Sequence, residues 1–229
     1  MRATERTHIR ASRHETGRIE DPCKNFAKLP ADSLYPRLLA DLRPRPLSAP
    51  ADVAANPRSL HVSWDQYNTL VERLALEVYE SGYGFNQIIC IARGGLRVGD
   101  VLSRIFEMPL AILSTHSYSA EGGTTRGELV IAEHMTMTKP RLGDRVLLVD
   151  DMVDSGHTLA AVHAELPRRF QHISELKTAV LWWKACSIFR PDFSVEYLSD
   201  SPWIHQPFEI YDTLRPDALA ERLQSKGGK

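Results

Sequence analysis

The chain has 229 residues, 43% of them apolar and 25% charged, and a formal net charge of −1. That length carries one full domain plus an extension, and the near-neutral charge excludes a chain built for electrostatic capture of nucleic acid or an anionic membrane. No apolar run reaches the ~20 residues that span a bilayer, and Cys23, Cys90 and Cys186 form no CxxC pair, which fits a reducing, cytoplasmic setting.

Residues 1–60 hold seven of the 14 prolines, one glycine, and 11 Lys/Arg against 7 Asp/Glu. Each proline removes a donor and fixes φ, so "RPRPLSAP" holds neither a helix nor a central strand. We expect a proline-rich N-terminal extension, irregular or partly disordered, followed by one domain over 61–229. Its arginines alternate with acids instead of clustering, so no nucleic-acid partner is expected. The first 20 residues lack an apolar core, so no secretory leader is expected either.

Regular patterning starts at Ser63. Ser63 and Gln66 form a capping-box signature. Tyr67, Leu70, Leu74 and Val78 follow at helical spacing, and Gly82 and Gly84 end the element. "QIICIA" (87–92) predicts a buried strand. "LRVGDVLSRIF" predicts a helix, and "LAILSTH" (110–116) a second strand. Residues 117–127 are a polar loop with three glycines, and "ELVIAEH" reads as a strand beyond it. "DRVLLVD" (144–150) predicts a strand, 157–170 a helix, and "LKTAVLWW" (176–183) and "FSVEYL" (193–198) two further strands. This alternation implies an α/β fold with a mostly parallel, twisted sheet flanked by helices on both faces. Ligands of such sheets bind at the strands' carboxyl ends.

One such end carries "VLLVDDMVDSGHTLAAV". Asp150 and Asp151 accept hydrogen bonds and donate none, so the pair suits a metal, a sugar cis-diol, or the capping of the next element. Asp154-Ser155-Gly156-His157-Thr158 then opens a helix, where unpaired amides and the positive dipole end favour an anion. Without a Gly-Lys-Ser/Thr the loop is no triphosphate cradle. A lone phosphate monoester beside diol acceptors describes a ribose 5-phosphate.

"LLVDDMVDSGHTL" resembles the signature of type I phosphoribosyltransferases, which use 5-phosphoribosyl-1-pyrophosphate (PRPP), with Ser155 where Thr is commoner. "ARGG" (92–95), "WWKACS" and "WIHQPFE" (203–209) extend the resemblance to a purine-using branch similar to bacterial xanthine-guanine phosphoribosyltransferase, over roughly residues 61–212. The resemblance implies the type I fold with a small hood of C-terminal segments. It implies transfer of the phosphoribosyl group to N9 of a 6-oxopurine in purine salvage. It assigns PRPP to Arg93, Gly94, Ser117, Tyr118, Asp150, Asp151, Asp154, Ser155, Gly156, His157 and Thr158. Lys184, Trp203 and Ile204 fall to the base, and Asp154 and Arg126 to catalysis, Arg126 from a lid over 117–127. Asp150 and Asp151 would bind Mg2+. Relatives form dimers or tetramers, so a homo-oligomer is expected. Two alternatives stay open: another nucleobase as acceptor, and a PRPP-sensing regulator that binds nucleic acid. His205 stands where some relatives have an acid, which leaves the preferred base open.

Overall fold

The structure, a computed structural model, describes residues 59–117 and 129–227. Ser59–His61 form β1, and α1 (Trp64–Glu80) follows. The Ser63 hydroxyl accepts from the Gln66 amide while the Gln66 side chain accepts from the Ser63 amide, so the sequence's capping box is formed. The face of α1 bearing Tyr67, Leu70, Leu74 and Val78 is buried. Each such side chain contributes roughly 1.5–3 kcal/mol relative to exposure. The helix stops at Ser81, and Gly82 takes the positive φ of 70° that follows.

The main sheet is built from β2 (Gln87–Ala92), β3 (Leu110–Ser117), β6 (Arg145–Val149), β8 (Glu175–Lys184) and β9 (Phe193–Leu198). All run parallel, in the spatial order β3-β2-β6-β8-β9. Two short strands, β4 (Leu129–Ile131) and β5 (Thr136–Met137), run antiparallel along the outer edge of β3. Helix α2 (Gly95–Ile105) crosses from β2 to β3 and α3 (His157–Arg169) leads into β8.

Both sheet faces are covered, which explains the near-continuous apolar runs. Ile88, Cys90, Leu147, Val149, Ala179 and Leu181 pack with α1 and α2. Ile89, Ile91, Val146, Leu148 and Val180 alternate with them and pack with α3. From β2 the chain passes to β3 on one side and later returns to β6 on the other, so the topological switch point, where ligands bind in such sheets, lies between the carboxyl ends of β2 and β6.

Three features depart from the sequence reading. The strand expected to end at Asp150 ends at Val149, and the extended chain resumes as β7 (Met152–Val153) along the same edge of β8. The acid pair therefore interrupts a strand. β1 pairs in parallel with β10 (Trp203–His205), so the C-terminal segment is joined by Ser59 and Leu60, which composition had grouped with the extension. Two helices, α4 (Ile210–Thr213) and α5 (Pro216–Gly227), close the described chain. No described helix is long and apolar enough to cross a membrane.

Candidate functional site

At the switch point lies a crevice of about 380 Å³. Ile91, Ala92 and Gly94 from the end of β2, Thr115 from β3, and the run from Asp150 to Gly156 with Thr158 and Leu159 line it. The turn after β6 thus lies over the switch point of the sheet.

The acid pair is held by short local bonds. The Asp151 amide donates to Asp150 Oδ1 at 2.9 Å, and the Met152 amide to Asp151 Oδ1 at 2.7 Å. The Leu181 amide donates to the Asp151 carbonyl at 2.9 Å, which keeps this break docked on β8. Among the described residues neither carboxylate forms an ion pair. Burial, and then the charge of Asp151, raises Asp150 well above the usual carboxylate range. Burial also raises Asp151, against the lowering effect of its hydrogen bond from Gln206.

Gly94 and Gly95 are needed for close approach. A Cβ on Gly94 would lie 2.6 Å from the Asp151 carboxylate, and one on Gly95 2.6 Å from the Val149 carbonyl. Arg93, joined to Ala92 through a cis peptide, is 88% exposed and reaches Asp212 at 3.6 Å.

The turn before α3 presents backbone. The first helical bond runs from the Ala160 amide to the Gly156 carbonyl at 3.0 Å, so the preceding amides have no intrahelical partner. The helix cap is Gly156, at φ 83°, with no side-chain cap bond. Asp154 does not cap the helix; its carboxylate faces Lys184. The turn is buttressed from the β8–β9 connection, where the Ile188 amide donates to the Ser155 carbonyl at 3.0 Å and the Phe189 amide would meet a Cβ on Gly156 at 2.8 Å. The His157 side chain is exposed and outside the crevice lining, so only its backbone belongs to the turn.

Lys184, the last residue of β8, is 5% exposed, and its Nζ lies 3.3 Å from Oδ1 of Asp154, itself 55% exposed. The Cys186 thiol donates to the same oxygen at 3.5 Å. On β10, Ile204 is buried while Trp203 is 63% exposed. His205 stacks on His61 at 4.3 Å and approaches Glu209 at 3.7 Å.

Asp150, Asp151, Asp154, Ser155, Gly156, Thr158 and Gly94 therefore gather in one crevice, with Lys184 joined to it through Asp154. Ser117 ends β3, whereas Tyr118, Arg126 and the rest of the 117–127 loop lie outside the described residues. Thr115 and Gln206 were missed. For Gln206 a signal existed: in extended chain it shares a side with Ile204, so a polar residue stands at an inward position.

A divalent cation fits this donor set. Two adjacent hard carboxylates without a basic partner among the described residues suit Mg2+, which takes one or two carboxylates and completes its shell with substrate oxygens and water. No cluster of three or more metal-ligating side chains occurs among the described residues.

The phosphoribosyl transferase domain family matches residues 63–213. A xanthine-guanine phosphoribosyltransferase of Idiomarina loihiensis is 26% identical over 155 residues, 67% of this chain and 89% of its own. The crystal structure of a purine phosphoribosyltransferase from Pyrococcus horikoshii superposes with a TM-score of 0.53 at 29% identity, covering 66% of this chain and 93% of that one. A Helicobacter pylori xanthine-guanine-hypoxanthine phosphoribosyltransferase, 24% identical, shares the fold with a TM-score of 0.56 over 73% and 99% of the two chains.

Proposed function

The chain belongs to the phosphoribosyltransferase family of pentosyltransferase enzymes, and from that premise we propose that it transfers the phosphoribosyl group of PRPP to N9 of a 6-oxopurine. The observation that carries the choice of base is the buried ammonium of Lys184 held 3.3 Å from Asp154 at the crevice. An ammonium only donates, so it suits the 6-oxo group of guanine, xanthine or hypoxanthine and opposes the 6-amino group of adenine.

In this reading the amides of the 155–158 turn, with the hydroxyls of Ser155 and Thr158, hold the 5′-phosphate. Asp150 and Asp151 accept from the ribose hydroxyls, and the Arg93–Gly94 loop holds the pyrophosphate. Trp203 stacks on the purine, and the backbone of Ile204 meets its edge. N9 attacks C1′ as the bond from C1′ to the pyrophosphate oxygen breaks, and the electron pair leaves with pyrophosphate. The proton at N7 passes to Asp154, which leaves its ion pair with Lys184 as the base enters between them. Asp150 and Asp151 would hold Mg2+, which would supply charge neutralisation for the leaving pyrophosphate. Ser117, Tyr118 and Arg126 complete the contacts to the pyrophosphate in this reading. The likeness of the family's purine enzymes supports the assignment.

The test is to incubate the protein with PRPP, Mg2+ and each of guanine, xanthine, hypoxanthine, adenine, uracil and orotate. Nucleotide is expected with 6-oxopurines alone. Turnover of adenine or orotate, or of no base, overturns the proposal.

A further inference from the structure

We infer that Gln206 is a positioning residue: it fixes the Asp151 carboxylate in the orientation that PRPP binding requires, and so ties the segment bearing Trp203 and Ile204 to the acid pair. This rests on the reading of Asp151 as a PRPP ligand.

The Gln206 side-chain amide donates from Nε2 to Asp151 Oδ2 at 2.5 Å. A carboxylate only accepts, so the amide must turn its nitrogen to it. That choice leaves Gln206 Oε1 buried and without a partner among the described residues. A buried acceptor without a donor disfavours folding, and an apolar side chain of equal length would fill the place without that penalty. Packing therefore does not explain a glutamine here, whereas the bond to Asp151 does.

The rest of the surroundings agrees. Oδ1 of Asp151 is taken by the Met152 amide, and Gly94 lies directly against the carboxylate. Gln206 thus holds the second oxygen, Oδ2. Asp150, by contrast, meets the Asp151 carboxyl and the Asp151 and Gly95 amides, and no side-chain amide reaches it among the described hydrogen bonds. Gln206 is itself firmly placed. The Val62 amide donates to the His205 carbonyl at 3.0 Å, and the Glu209 amide to the Gln206 carbonyl at 3.1 Å. Two residues on, Phe208 is gripped between the Tyr67 ring at 5.7 Å and the Arg97 guanidinium at 4.0 Å.

The experiment compares wild type, Gln206→Met, Asp151→Asn and the double variant. The PRPP dissociation constant is measured calorimetrically with Mg2+, alongside KM for guanine and Tm. Removing such an outer partner weakens ligand affinity by roughly 10–100-fold. Q206M is therefore expected to raise the PRPP Kd at least about tenfold, with KM for guanine and Tm nearly unchanged. In the Asp151→Asn background the same change should have almost no further effect, because the two residues act as one unit. Equal PRPP binding by wild type and Q206M overturns the inference, as do multiplicative losses in the double variant or a matching rise in KM for guanine. Should Q206M fail to fold, Gln206→Leu removes the same donor with a smaller apolar side chain and carries the same comparison. A wild type that binds no PRPP sinks the functional reading itself, a different result from a wild type that binds and a variant that binds equally.

Discussion

Replacing Lys184 with methionine separates base recognition from PRPP recognition. Methionine retains most of the buried aliphatic length and removes the ammonium. Deleting one partner of a fully buried ion pair is severe, but Asp154 is 55% exposed and keeps its hydration, so the remaining charge is not stranded. The change in folding stability should stay under about 1.5 kcal/mol, as for volume-conserving core swaps. The loss falls instead on the base. A hydrogen bond to a charged group is worth about 1.5–3 kcal/mol, which at 1.4 kcal/mol per decade is roughly a 10- to 140-fold fall in kcat/KM for guanine or hypoxanthine. Steady-state kinetics with each substrate varied in turn, with urea unfolding as control, reads both quantities. The PRPP Kd should not move. Unchanged 6-oxopurine kinetics, or equal losses against PRPP and base, would refute the reasoning.

Gly156→Ala places a side chain at φ 83° and against the Phe189 amide, so it should lose about 1–2 kcal/mol of stability by thermal denaturation and most PRPP affinity. Gly94→Ala drives a methyl into the Asp151 carboxylate and should weaken PRPP binding more than tenfold by calorimetry, as for misplaced site ligands. At pH 8 an alkylating reagent should label exposed Cys186 and spare Cys90, whose thiol burial pushes up to about 12; peptide mapping reads the sites. Asp150, raised by burial and by Asp151, binds its proton more tightly folded than unfolded, so its contribution to stability is full at acid pH and falls as pH rises above the usual carboxylate range. The difference in urea unfolding free energy between Asp150→Asn and wild type should therefore grow with pH, in favour of the variant.

Local patterns carried the elements that make local contacts. The helix after Ser63 was legible because its cap and its buried stripe both lie within the element. β2 was legible as a nearly continuous apolar run, and β9 through the alternation of Phe193, Val195 and Tyr197 with Ser194 and Glu196. The break at Asp150–Asp151 was not, since β7 is two residues long and is defined only by its pairing with Trp182 and Trp183. β1 and β10 escaped for the same reason, being three-residue strands that exist through pairing of His61 with His205 and its neighbours across most of the domain. At the site, the acid pair and the small-residue turn announced themselves by chemistry. Gln206 showed only as a polar residue at an inward position, and its role was not legible because its partner lies 55 residues away and only the fold brings them together.

We propose that the crevice between β2 and β6 grips a phosphorylated pentose by amides at one end and carboxylates at the other. A crystal structure of the protein with PRPP and Mg2+ tests it most directly. The 5′-phosphate should lie about 3 Å from the amides of residues 155–158, with the ribose hydroxyls turned to Asp150 and Asp151. A phosphate bound elsewhere, or a sugar with its hydroxyls turned away from both acids, would contradict it.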